Sequence, residues 1–343
     1  MKTDKYRFKN KAFGMIFCLI FLMSVGFSFA QTISVSPPKP LKSSPPKTSK
    51  KNHGDSGASA EKSIAVDAKV NISLCVSEGK LKVNGWERSE IRAFVGGGGE
   101  VAFKVQQRGG QNGTPVWVKV LGFDPAKTKE ESADECLSGN EIELDVPRGA
   151  IVNVRSSESD TTIDSVRKVT VKIDGGDIFL NNIAQGIEAK TFEGDVTVEN
   201  SSGAMTLNTT TGNIVAFGVS PSEIGDVFIA KTVSGAIALQ RIGHRQAEVN
   251  SNSGSIKFVG EFQSGGQYTI GTQNGSISLL LPEKSSFKLD ASFGFGAFNS
   301  EIPLENLVKN SNSKAQSLSG SAGKGDATLN LKTYSGAIRI KKR

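Results

Sequence analysis

Residues 232–239 read TVSGAIAL, and residues 333–340 repeat the pattern as TYSGAIRI. Related octets, each built on one glycine, recur along the C-terminal half of the chain. The glycines that align are Gly176, Gly194, Gly212, Gly235, Gly254, Gly275 and Gly336. Two positions after each glycine stands Ile or Val, and three positions before it stands Thr, Ser or, in the first copy, Ile. Such matched columns indicate an internal repeat over about residues 160–343.

The chemistry of the repeat predicts a sharp corner followed by a short strand. Glycine supplies a positive-φ corner at little steric cost, and the apolar residues that follow, spaced by two, point to one side. A hydroxyl before the corner can bond turn backbone while the Thr methyl packs inward. The first five steps are 18, 18, 23, 19 and 21 residues long, which suits coils of two strands. We therefore predict an all-β, repeat-built β-solenoid (β-helix-like); the alternative, an antiparallel sandwich, does not require matched columns.

The interval from Gly275 to Gly336 is longer, at 61 residues. It holds a degenerate copy around 293–298 and a polar insertion at 305–325. The stack must be capped at its end, and we expect this polar loop and the KKR tail at 341–343 to shield that edge from further pairing.

The segment between residues 63 and 154 is expected to be a β-strand region packed on the solenoid, because apolar residues alternate with polar ones in several short runs. The glycines at 96–99 lack the following Lys and helix of a phosphate cradle, so they indicate a flexible strand connection, and GSAGKG at 320–325 indicates a loop. Residues 126–135 are rich in helix formers and favour a helical turn or two.

Residues 1–30 have the composition of a signal peptide. Five basic residues precede an apolar run over 12–30, and the small residues Ser28 and Ala30 precede a predicted cut ahead of Gln31. The apolar run is also long enough to span a bilayer, so an uncleaved membrane anchor is the alternative. With either a signal peptide or an anchor, the domain is expected to be exported to the periplasm, the cell surface or the medium.

Residues 31–62 are dominated by Pro, Lys and Ser and have almost nothing to bury, so we predict a disordered linker and a folded domain over 63–343. His53 lies in this linker, where nothing rigid orients it for catalysis. The chain carries a net charge of +7, yet residues 63–343 contain 30 basic and 31 acidic residues. A scattered, balanced charge argues against nucleic-acid binding.

Removal of residues 1–30 would leave two cysteines, Cys75 and Cys136. Export places them in an oxidising space, where an even pair is more often bonded than free. A disulfide between them is therefore expected; the alternative is one buried and one exposed thiol without contact.

The acidic residues of the first coils are the candidates for a metal or catalytic cluster. They are Asp160, Asp164, Asp174, Asp177 and Asp195. Asp177 and Asp195 share the column just after the glycine, so they could face each other across stacked coils and hold a cation. Later members of the column are not acidic, which favours solvated, turn-favouring carboxylates, and no metal site is predicted.

The other candidate side chains also favour structural roles. His244 has no identifiable Ser–Asp partners and is expected in a surface turn. Four aromatic residues could form a sugar-stacking surface, but they are not grouped in sequence, which favours core or edge packing. They are Trp86, Trp117, Tyr268 and Tyr334. No catalytic, cofactor-binding or metal-ligating residue is predicted, and no cofactor.

Three stretches resemble the bacterial putative-adhesin domain family of unknown function. They are the T-x-S-G-x-I-x-L unit, EGKLKVNGWERSEI at 78–91 and VPRGAIVNVRSS at 146–157. The resemblance covers about 63–343 and implies a secreted or envelope-facing domain rich in β-solenoid repeats. No catalytic residues are assigned in that family, so it implies none here.

Two classes of function follow. The first is a non-catalytic exported cell-envelope or secreted protein whose β-solenoid surface serves adhesion, assembly or scaffolding, with a protein or polysaccharide partner at the cell surface; a membrane is involved only if the anchor stays uncleaved. The second is a carbohydrate-active β-solenoid enzyme, a polysaccharide lyase or hydrolase, which needs clustered carboxylates on one wall. The sequence shows no histidine–carboxylate cluster and favours the first class.

Overall fold

The structure is a computed structural model that describes residues 59–109, 113–123, 135–311 and 316–343. The predicted signal peptide, His53 and the linker up to residue 58 lie outside the described residues, as does the predicted helical turn except for Glu135. In the described part of the chain no helix is long and apolar enough to cross a membrane.

The described residues form one sheet of 25 strands and no helix, as the all-β prediction requires. The strands are β1 (Ser59–Ala65), β2 (Asn71–Trp86), β3 (Glu90–Gly96), β4 (Glu100–Arg108), β5 (Pro115–Phe123), β6 (Leu137–Pro147), β7 (Ile151–Asp164), β8 (Lys168–Gly175), β9 (Ile178–Asn181), β10 (Ile187–Glu193), β11 (Val196–Glu199), β12 (Met205–Thr211), β13 (Ile214–Val219), β14 (Val227–Ser234), β15 (Ile237–Ile242), β16 (Gln246–Ser253), β17 (Ile256–Val259), β18 (Gln267–Asn274), β19 (Ile277–Leu281), β20 (Phe287–Phe295), β21 (Phe298–Ser300), β22 (Glu305–Ser311), β23 (Gln316–Ala322), β24 (Ala327–Ser335) and β25 (Ile338–Lys342).

From β8 onward each coil contains two strands joined at a glycine corner. β10, for example, pairs in parallel with β8 and β12, and β11 pairs in parallel with β9 and β13. The strands before the corners therefore stack into one wall, and the strands after the corners stack into a second. We call these the first wall and the second wall. This arrangement confirms the predicted β-solenoid.

The interior is filled by the apolar columns that the repeat predicts. One column contains the residues two positions after each corner, and all of them are at most 1% exposed. They are Ile178, Val196, Ile214, Ile237, Ile256, Ile277 and Ile338. Each lies in register with its counterpart in the next coil. Burying such a side chain stabilises the fold by about 1.5–3 kcal/mol, so the coils hold together only as a stack.

Each glycine corner sits directly on the corner of the preceding coil. Gly194 has φ +137°, and a Cβ built on it would lie 2.1 Å from the carbonyl oxygen of Gly176. The hydroxyl of Thr209 donates to the carbonyl of Gly194 at 2.9 Å, as predicted for a Thr three positions before a corner. The same bond recurs from Thr191, Thr232, Ser251, Thr272 and Thr333 to the corner before each.

Replacing Gly194 with Ala should destabilise the domain by about 2–4 kcal/mol, because the methyl group meets both a left-handed backbone and an immovable carbonyl. Gly225→Ala is the matched control: Gly225 has φ +98° but open space where a Cβ would lie, so it should lose only about 1–2 kcal/mol. Urea unfolding of the two variants separates the two contributions. Equal losses would contradict the stacked-corner explanation.

The order of the coils at the C-terminal end differs from their order in the sequence. The coil of β24 and β25, whose corner is Gly336, inserts between the coil of β18 and β19 and the coil of β20 and β21. The degenerate copy at 293–298 is confirmed as a coil. In the stack it lies outside the coil of Gly336, although it comes earlier in the sequence.

The polar insertion at 305–325 forms strands where a loop was predicted. β23 pairs antiparallel with β20, and β22 pairs with β23, so this hairpin extends the first wall. Leu318 and Ala322 face the core, and the intervening Ser and Gly residues hid the strand pattern. Gly320 accordingly lies in β23. Lys341 and Lys342 lie in β25 and pair with β19, so the tail does not cap the terminal edge.

The N-terminal strands pack on the solenoid by continuing both walls. β2 lies between β7 on one side and β5 and β6 on the other, and β1 and β4 add antiparallel strands at the far edge. β1 begins at Ser59, four residues before the predicted domain start at Ser63. Gly97, Gly98 and Gly99 connect β3 to β4, as predicted.

Candidate functional site

The acidic column beside the corners forms a hydrogen-bonded ladder. The backbone N–H of Asp177 donates to Asp160 Oδ1 at 3.2 Å, that of Asp195 donates to Asp177 Oδ1 at 2.8 Å, and that of Asn213 donates to Asp195 Oδ1 at 2.7 Å. Asn213 Oδ1 then accepts from the N–H of Ala236 at 2.9 Å. Each side chain satisfies a backbone donor at the corner of the next coil, which is a structural role.

The remaining acids of the first coils lie apart from this ladder. Asp164 Oδ1 accepts hydrogen bonds from the side-chain amides of Asn181 and Asn182, and Asp174 is exposed on the outer side of β8. The described residues contain no group of three or more His, Cys, Asp or Glu side chains placed to hold a metal ion.

His244 is fully buried, so the expected position in a surface turn is wrong. Its Nε2 lies 2.9 Å from the carbonyl oxygen of Gly203, its ring contacts Phe228, and its Nδ1 has no hydrogen-bond partner. The side chain points into the core, a placement that no sequence pattern indicates. Burial lowers its pKa, and the hydrogen bond to the Gly203 carbonyl and the nearby Asp226 carboxylate offset this only partly.

Because His244 is buried, we predict that the free energy of unfolding declines in mild acid. The pKa of His244 lies below its ordinary value in the folded state, so the unfolded chain binds more protons between that lowered value and about pH 6.5. The stabilisation is present above about pH 6.5 and is lost as pH falls. Urea unfolding at about pH 7.5 and about pH 5 should show this slope in the native protein. His244→Gln should flatten it, and an unchanged slope would contradict the assignment.

Cys75 and Cys136 are joined by a disulfide, with Cα atoms 4.6 Å apart. Cys75 lies in β2, and Cys136 immediately precedes β6, so the bond links two adjacent coils of the N-terminal region. It closes a long loop, which lowers the entropy of the unfolded chain.

The four aromatic candidates are dispersed, and only some face solvent. Tyr268 is buried, and its hydroxyl donates to the carbonyl of His244 at 2.9 Å. Trp86 is covered by the guanidinium of Arg88, and Trp117 is 44% exposed on β5. Tyr334 projects from the first wall and packs edge-to-face on a residue that the sequence did not single out, Phe295, with ring centroids 5.5 Å apart.

A shallow depression lies on the outer side of the first wall, around Gly271. It has a volume of about 690 Å³ and is open to solvent. We call it the Gly271 notch; besides Gly271, its lining includes Lys231, Asn250, Asn252, Gln273, Lys332 and Tyr334.

A second cleft lies where one loop is longer than its neighbours. The 23-residue step of the repeat places extra residues in the loop 220–226, and the cleft of about 680 Å³ runs between this loop and Gln263. Arg245 lies in the cleft, and Ile224 on the longer loop is fully exposed.

Comparison with known proteins gives one family and two solved structures. The family model described as Toastrack DUF4097 matches residues 58–341. A putative cell adhesion protein from Clostridium sporogenes is 12% identical, with 82% of this chain and 99% of that chain covered and a TM-score of 0.19. A putative lipid binding protein from Parabacteroides distasonis is 10% identical, with 83% and 98% covered and a TM-score of 0.33. No curated protein matches the chain.

Proposed function

The chain belongs to the Toastrack DUF4097 family of unknown function, and from its own surface we propose that it is a non-catalytic, exported protein whose solenoid presents a binding face for adhesion, assembly or scaffolding. The partner is a protein or polysaccharide at the cell surface. One observation carries the proposal: side chains that face inward are apolar or hydroxyl-bearing in every coil, whereas those that face outward differ in charge, polarity and size.

The first wall illustrates this division. Ile173, Thr191, Thr209, Thr232, Ser251, Thr272 and Thr333 form one buried column. The outward column beside it changes from Lys231 through Asn250 and Gly271 to Lys332, although these four residues are neighbours in register. Packing explains the first column but not the second. A rigid wall with varied outward side chains suits recognition of an extended partner.

The enzyme alternative needs a pair of carboxylates free to act on a substrate. Asp177 and Asp195, the best such pair in the sequence, each accept a backbone N–H from the next coil. Their regular engagement in the corner ladder supports a structural role. The non-catalytic proposal would fail if the purified protein cleaved a polysaccharide and Asp177→Asn or Asp195→Asn abolished the cleavage.

Export is part of the proposal and rests on the sequence of residues 1–30. The Cys75–Cys136 disulfide supports it, because such bonds persist in oxidising compartments. We predict that intact-mass analysis of the protein recovered from its native cells begins at Gln31. A mass that retains residues 1–30, in the membrane fraction, would favour the anchor instead.

The binding proposal is tested by incubating the purified protein with cell-envelope material and with a panel of polysaccharides, followed by sedimentation and assays for new chain ends. We expect retention without depolymerisation. Failure to bind any envelope component would contradict the proposal.

A further inference from the structure

We propose that the Gly271 notch binds an acidic carbohydrate, a short run of uronate sugars. The inference rests on the proposed binding function and names its site and the class of its ligand. Four features of the notch support it: a glycine that the strand does not require, a lysine without an ion pair among the described residues, an exposed aromatic pair, and strands that are paired on both sides.

Gly271 is not demanded by the backbone. It lies in the middle of β18, its φ is outside the left-handed range, and an added Cβ would press only on the side-chain oxygen of Asn250, at 2.8 Å. Glycine within a strand is destabilising, and it often marks a place where a ligand approaches the backbone closely. Its neighbours across the wall, Asn250 and Lys332, both carry side chains. Gly271 therefore creates the space of the notch, and it does so while lowering the stability of β18.

The second feature is the lysine of the notch, Lys332. Lys332 makes no ion pair with any of the residues that the structure describes, and its neighbours in register, Gly271 and Ser292, are uncharged. Lys231, at the other end, pairs with Glu248 at 2.7 Å. Lys332 is thus the ammonium group available to a carboxylate, and the exposed setting makes that attraction sensitive to salt.

An aromatic pair stands at the same end as Lys332. Tyr334 and Phe295 are 57% and 68% exposed, and their rings pack edge to face. Exposed rings provide apolar faces on which a sugar ring can stack. The amide side chains of Asn252 and Gln273, which make no hydrogen bond to other described residues, supply donors and acceptors for hydroxyl groups.

The backbone around the notch disfavours an acidic peptide as the ligand. β16, β18 and β24 each pair with a strand on both sides, so no free strand edge is present for an extended peptide to join. Recognition must come from side chains alone: one ammonium group, two amides and an aromatic face. That combination suits a sugar with a carboxylate better than a polypeptide.

The experiment measures binding of short oligogalacturonate and oligomannuronate to the purified protein by calorimetry, with methyl-esterified oligogalacturonate and oligoglutamate as comparisons. Binding should be strongest for an oligouronate and should weaken with salt. Gly271→Thr fills the notch and should weaken binding at least about tenfold while leaving Tm unchanged or raised by about 1–3 °C. Lys332→Gln should weaken binding and reduce its salt dependence. Lys190→Gln, an exposed lysine of the same column outside the notch, should change nothing.

Several results would overturn the inference. They are equal binding of the methyl ester, preference for oligoglutamate, oligouronate binding that is unaffected by Gly271→Thr and Lys332→Gln, and absence of oligouronate binding. If envelope material is still retained in that last case, the proposed binding function stands and only its ligand and site are wrong. If no envelope component binds, the proposed function itself fails.

Discussion

Ile256→Asp should unfold the coils around β17 and lower stability by at least about 4 kcal/mol, which corresponds to a fall in Tm of about 10 °C or more. Ile256 is fully buried and stacks between Ile237 and Ile277 of the adjacent coils. A carboxylate there has no partner to offset its desolvation. Because each coil stacks directly on the coils before and after it, the damage should spread to both sides.

Lys257→Asp is the matched control, since it places the same residue at the next position of the same strand. Lys257 is exposed on the outer side of the second wall, so the change should leave Tm nearly unchanged and affect binding at most. Circular dichroism melts and hydrogen exchange over β15, β17 and β19 compare the two variants. Similar melts would mean that the inward and outward faces of β17 are wrongly assigned.

The corners and the core could be predicted because they depend on local chemistry that recurs. A glycine at Gly194, the apolar Val196 after it and a hydroxyl such as Thr209 act within one coil or on the coil beside it, so one chain displays the rule several times. The function of Asp177 was harder to predict. Its column was visible, but its partner is the backbone N–H of Asp195, a group that every residue except proline possesses.

The features that sequence could not predict depend on position in the stack. His244 has no counterpart in the other coils. It is buried because its ring reaches the carbonyl of Gly203, two coils away. The Gly271 notch exists because Asn250 and Lys332 become its neighbours, and Lys332 is 61 residues distant in the chain. Equivalent repeats can stack in any order, so spacing alone cannot show that the coil of Gly336 is an internal one.

Ending the chain after Asp326 should therefore remove an internal coil. β24 and β25 would be lost, and with them four large buried aliphatic side chains: Leu329, Leu331, Ile338 and Ile340. At about 1.5–3 kcal/mol each, their burial contributes roughly 6–12 kcal/mol, comparable with the whole stability of a typical domain. The coil of β18 and β19 and the coil of β20 and β21 would each expose an unpaired edge. We expect loss of hydrogen-exchange protection from Gln267 to Ala322, and aggregation.

Deleting only residues 342 and 343 is the control, because it leaves the buried residues of β25 in place. It removes an exposed Lys342–Glu283 ion pair and the hydrogen bonds that the backbone N–H groups of Lys342 and Arg343 donate to Glu301 and to the carbonyl of Leu281. The free energy of unfolding of that variant should lie within about 2 kcal/mol of the native value. Because the repeats are similar, one coil could also take the place of another, and this would contradict the prediction. If β20 docked directly on β18 in the truncated chain, Gly296 would stack on Gly275 in place of Gly336, and the domain would stay protected and cooperative. If this rearrangement does not occur, the inserted coil is required for the native order of the stack. A synthetic peptide of residues 327–343 should then restore hydrogen-exchange protection when added to the truncated protein.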